Sequence, residues 1–162
     1  MHSNIYQVST QPIDKEKYKT SESFYEESGG WFDYIGDEVE DDEERKDCLD
    51  ALSDILGDLF TPVGDGVFAY KGEQAMRKFK DDFLEYLRNM IGSLSADSIT
   101  KEQNLYKLRL ACKETHIETS SRFYIEEWNG YAAPFSDLVG FAESNLKEGD
   151  SIYIGAIIDY HF

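Results

Sequence analysis

The segment Ser151–Phe162 (SIYIGAIIDYHF) constrains the fold more than any other part of the chain. Ile152, Ile154, Ala156, Ile158, Tyr160 and Phe162 alternate onto one continuous apolar face. Tyr153, Gly155, Ile157, Asp159 and His161 make the other, more polar face. A strand this apolar belongs inside a sheet with helices packed on it. Gly155 marks a bulge or a close backbone approach within it.

The remaining elements are read around that strand. Ile5–Thr10 is β-rich and stops before Pro12, and Val67–Tyr70 is a short strand after a turn marked by Pro62, Gly64 and Gly66. Arg122–Trp128 is a further strand, closed by Asn129-Gly130. Leu105–Lys113 has the composition of a helix but alternates like a strand, and the reading leans to strand. A helix is predicted over Glu43–Phe60, with Cys48, Leu49, Leu52, Ile55, Leu56, Leu59 and Phe60 on one arc. A second covers Glu73–Leu94, with an apolar face from Met76 to Leu94, and a third covers Phe135–Leu146 after Pro134. Asp14–Tyr34 reads as loops and short helical turns whose Phe24, Tyr34 and other large side chains, with Ile35, fold down onto the domain. The 162 residues include 11 Tyr, 10 Phe and 2 Trp, enough large side chains for a solid core. The expected fold is a single α+β domain over residues 1–162. It has a four- to five-stranded mixed or antiparallel sheet with about three amphipathic helices packed on it.

Charge is unevenly spread. The net charge is −17, and residues 21–60 alone carry −13. Direct nucleic-acid binding and anionic membrane surfaces are disfavoured, because both need clustered Lys and Arg. No basic-then-apolar leader opens the sequence and no apolar run is long enough for a bilayer. With two cysteines far apart, Cys48 and Cys112, the expected setting is the reducing cytoplasm.

The acidic segment at 37–60 divides into two parts. The carboxylates of Asp41–Glu44 sit where the helix dipole favours negative charge. Asp47, Asp50, Asp54 and Asp58 form a row opposite the apolar arc, and Asp54 and Asp58 are too late in the helix for that account. The row is either a solvated, solubilising face or a docking surface for a basic protein. A third reading is imitation of DNA. Yet the row offers one charge per ~5.5 Å of helix rise, against one per ~1.7 Å in duplex DNA.

Other candidate chemistry is thinner. Gly64-Asp-Gly-Val-Phe-Ala69 matches a loose dinucleotide fingerprint, but a helix precedes it and a strand follows, so a plain β-turn is the better reading. Asp159 and His161 share a strand face and form either a polar rim pair or two ligands of a metal. Calcium-loop spacing is missing from the acidic run. Glu126 and Glu127 point to opposite faces of a strand and cannot converge on one bond. Cys112 and His116 meet only if their segment is helical. No catalytic, cofactor or dedicated metal site is assigned on these grounds.

Ile5–Thr10 and Gly155–Phe162 together resemble a family of small acidic proteins of gut bacteria and their mobile elements, filed as domains of unknown function. That resemblance implies no activity, cofactor or site. Gly30-Trp-Phe-Asp33, with the size and acidity, resembles antirestriction proteins that imitate DNA. The expectation is a non-catalytic cytosolic accessory protein presenting the aspartate row to a basic partner. The alternatives are a DNA-mimic inhibitor of a nucleic-acid-binding protein, and a small enzyme or metal-binding protein using Asp159 and His161.

Overall fold

The structure is a computed structural model and describes residues 2–27, 33–95, 98, 106 and 119–161. Ser151–His161 forms the longest strand, here β7, and it lies inside the sheet as expected. The others are β1 (His2–Ser9), β2 (Tyr34–Glu38), β3 (Phe60–Gly64), β4 (Val67–Tyr70), β5 (Arg122–Ile125) and β6 (Ala132–Ala133). Among the described residues three α-helices join them, each described over its full length: α1 (Asp42–Leu56), α2 (Glu73–Gly92) and α3 (Phe135–Asn145). Tyr106 is helical as well, one helix more than expected. Short 3-10 turns cover Lys15–Lys17 and Ser21–Glu27.

The sheet runs β3-β4-β7-β1-β5-β6, and β2 also pairs with β7. It is mixed: β1 is antiparallel to β7 and parallel to β5. Among the described residues seven strands replace the expected four or five. The additions are β2, β3 and β6, which carry weak strand signals. β3 contains Pro62, which is tolerated there because β3 ends the strand order, so the run first read as a turn is half strand. The turn itself is the two-residue Asp65-Gly66 hairpin, with Gly66 at φ +63°. It follows a strand and opens another, so the dinucleotide reading lacks its helix.

Tyr106 is helical, against the strand reading of Leu105–Lys113. The rest of that segment lies outside the described residues, as do Thr100–Gln103, Trp31, Phe32, Cys112 and His116. The predicted helix at Glu43–Phe60 ends earlier, at Leu56, and Phe60 begins β3. The expected apolar face of α2 is buried only at Met76 and Phe79, while Leu84, Tyr86 and Ile91 stay exposed. Among the described residues no helix is long and apolar enough to cross a membrane.

β7 departs from simple alternation. Tyr6 and Val8 of β1 face Ile157 and Ile154, so Gln7 opposes both Gly155 and Ala156. This bulge shifts the side-chain parity by one. Ile152, Ile154 and Ile157 pack in the core beneath the helices, with Leu52, Leu56, Phe79 and Phe135. Ala156, Ile158 and Tyr160 pack on the opposite face with Ile5, Phe24 and Ile35. The expected single apolar face is therefore two half-faces. Phe24 and Ile35 do fold onto the domain, whereas Tyr34 is 51% exposed.

The bulge is secured from both sides. The buried Gln7 amide oxygen accepts from Ala156 N–H at 3.0 Å and Lys19 N–H at 3.1 Å. Its Nε2 donates to Lys17 O and to Glu126 Oε1. A Cβ at Gly155 would lie 2.7 Å from the Gln7 amide oxygen, which explains the glycine. From α1, Arg45 donates to Ile154 O at 3.0 Å and Gly155 O at 2.8 Å.

Two outcomes follow. Arg45→Met strips both carbonyls of their donor and should lower stability by about 2–3 kcal/mol, read by urea unfolding; a loss under about 0.5 kcal/mol would refute the bracing role. Tyr6 is 1% exposed, and burial pushes its phenol up to about 12, partly offset by the Asn4 hydrogen bond. The fold thus favours the neutral ring. Its contribution is complete below pH ~10, the unfolded value, and disappears as pH rises towards 12. Melting curves across this window should fall more steeply for the wild type than for Tyr6→Phe.

Candidate functional site

Two places carry the sequence-derived candidates. The first is the outer face of α1. Asp41 caps the helix, accepting from the Glu43 and Glu44 N–H groups at 3.0 Å each. The acidic entry turn is thereby partly explained by helix capping. Further along, Leu49, Leu52 and Leu56 are buried while Asp47, Asp50, Asp54 and Asp58 are all exposed. Among the described residues, no Lys, Arg or His nitrogen lies within 4 Å of these four carboxylates. Of the two cations on α1, Arg45 is spent on the β7 carbonyls, and Lys46, next to Asp47, makes no ion pair within 4 Å with the row.

The second place is the end of the sheet where β1, β7 and β2 lie side by side. His2 faces His161 across the β1–β7 pair, and Tyr34 faces His161 on the other side. Asp159 shares a face with Ile157 by alternation, and the bulge puts that face on the α1 side with Ile152 and Ile154. His2 Nδ1 lies 2.9 Å from Asp159 Oδ2 and 3.2 Å from Oδ1. The Nε2 atoms of His2 and His161 are in contact, and the Tyr34 ring stacks on His161 with centroids 4.4 Å apart. Donor atoms of Asp159 and His161 lie within 4.8 Å of each other and of His2, which contacts both and which the sequence reading passed over. Only the β1–β7 register reveals it, since nothing local distinguishes His2.

A groove of about 660 Å³ opens beside this cluster. Asp37 and Glu38 from β2, Glu44 and Cys48 from α1, and Asn4 line it together with His2 and Asp159. Gly36 passes close behind Asp159: a Cβ there would sit 2.9 Å from its Oδ2. Asn4 donates to Cys48 Sγ at 3.3 Å, and Tyr6 OH donates to Cys48 O at 3.1 Å. Burial pushes the Cys48 thiol up; the Asn4 hydrogen bond pulls it down, and Glu44, Asp47 and Asp159 push it further up. A thiol held neutral in this way is a poor nucleophile at neutral pH.

The remaining candidates have structural roles. Glu126 and Glu127 lie in a turn just past β5, not on a strand, and serve different partners. Glu126 accepts from Gln7, and Glu127 accepts from the Ser9 and Thr10 hydroxyls and from Thr10 N–H. They hold the end of β1 and form no catalytic pair.

Cys48 should alkylate more slowly than a free cysteine at pH 7.5, and Glu44→Gln should speed it by removing one of the opposing charges. Peptide-resolved mass spectrometry after iodoacetamide pulses reads this; an unchanged rate in Glu44→Gln removes the electrostatic account. No family model matches this chain, and neither a curated protein nor a solved structure is similar to it at a significant level.

Proposed function

We propose that the protein is a non-catalytic cytosolic accessory protein that docks a basic partner on the outer face of α1. The observation that supports this reading is the exposed row Asp47, Asp50, Asp54 and Asp58, without cationic neighbours within 4 Å among the described residues. Asp50 and Asp54 stand at i,i+4 on α1, a spacing at which like charges destabilise a helix, and Asp58 lies just past the helix end. Asp54 also lies near the negative end of the helix dipole. Like charges at this spacing, with no ion pair within 4 Å among the described residues, are an arrangement that a cationic partner surface would relieve. Such a surface raises association rates and makes them salt-dependent.

Imitation of DNA is the narrower form of the same idea and needs denser charge than this row supplies. Asp37, Glu38 and Glu44 line the groove beside Asp159.

The test is affinity capture from the native host at low and high salt, with wild type and with Asp47, Asp50, Asp54 and Asp58 all changed to Asn. The expected result is a basic partner retained at ~50 mM salt, lost at ~500 mM and lost with the variant. Capture that ignores both salt and the four substitutions removes the proposal. Displacement of DNA from the captured partner would point to mimicry instead.

A further inference from the structure

The cluster at the sheet end has a chemistry that the docking reading does not use. We infer that His2, His161 and Asp159 form a binding site for a divalent first-row transition-metal ion, with Zn²⁺ as the best-matched ion. One donor atom from each of the three lies within 4.8 Å of those of the other two. The donor set is two imidazole nitrogens and one carboxylate oxygen, the borderline set that suits Zn²⁺. Ca²⁺ and Mg²⁺ prefer oxygen ligands throughout and are poorly served by two imidazoles.

The hydrogen bonding prepares the same outcome. With Asp159 against His2 Nδ1, that nitrogen carries the proton and donates to the carboxylate. In the neutral ring Nε2 then holds a lone pair, and it is turned towards Nε2 of His161. Two facing ring nitrogens need a proton or a cation between them. The carboxylate that orients the His2 ring is a common companion of metal-binding histidines, and here one of its oxygens lies within 4.8 Å of a ring nitrogen of each histidine.

Position and field add to this. His2 and His161 are direct partners across β1 and β7, so backbone register sets their approach. Tyr34 backs the His161 ring, and Gly36 leaves space for the Asp159 carboxylate. The adjoining groove is lined by Asp37, Glu38 and Glu44 and by no Lys or Arg among the described residues. Its field draws cations in, and its open side leaves a coordination position for water or a small ligand. His2 is 65% exposed at its side chain, so its ring has freedom to adjust to the ion.

Untagged protein stripped with chelator is titrated with Zn²⁺ by calorimetry, and Co²⁺ binding is followed by its visible absorption. The expected result is one ion per chain at micromolar affinity or tighter, with a raised Tm. His2→Gln and His161→Gln should each weaken binding tenfold or more, and Asp159→Asn by about tenfold. His2→Gln is the safer variant for folding because the side chain is exposed. Millimolar Mg²⁺ or Ca²⁺ should not displace the ion, and Asn at Asp54 and Asp58 should leave affinity unchanged. That last control separates this site from the docking face, whose failure would leave the metal result intact. Absence of 1:1 binding below ~100 μM, or binding indifferent to both histidine substitutions, overturns the inference.

Discussion

The fold depends on how one strand's hydrogen bonds are completed. β7 has a continuous neighbour, β1, along one edge, but on the other edge only two short ones, β4 at its start and β2 at its end. Between them the carbonyls of Ile154 and Gly155 face a gap in the sheet. A buried carbonyl without a donor costs as much as a lost hydrogen bond. Arg45 fills the gap with its guanidinium, a rigid fork that serves both oxygens. Gln7 takes the freed Ala156 N–H from the opposite face. One of the two cations of the acidic segment is therefore committed to the sheet, and among the described residues the aspartates after it form no ion pair within 4 Å.

The long apolar patterns were legible in the residues. β4, β7 and the three helices named above lie close to where periodicity places them, because each buries apolar side chains at regular spacing, in β7 on two faces. Less legible were β2 and β3, whose Gly36, Asp37, Pro62 and Gly64 are poor strand formers. They are strands because β7 and β4 offer edges to pair with, and that is a tertiary fact. The parity of β7 was hidden for a related reason. A glycine can announce a bulge, but which residues change face depends on Gln7 opposite, far away in sequence.

The same limit applies to the site. Asp159 and His161 share a face by simple alternation, and the exposed aspartate row follows from helical spacing. His2 does not. Its place beside His161 is set by strand register across almost the whole chain, and Asp159 faces α1 only because the bulge rotated it there. Sequence pattern supplies the residues of a face; register decides which faces meet.

That register has a bearing on how the molecule forms. The centre of the sheet joins residues 2–9 to residues 151–161, with the parallel partner Arg122–Ile125 on the far side of β1. Every contact there closes a loop of more than a hundred residues, the kind of pairing that slows folding. α1 and the β3–β4 hairpin are local and have no such wait, but β1 stays unpaired until the last two of these segments arrive. During synthesis β1 is made well before either strand that pairs with it, and its open edges need protection in the interval.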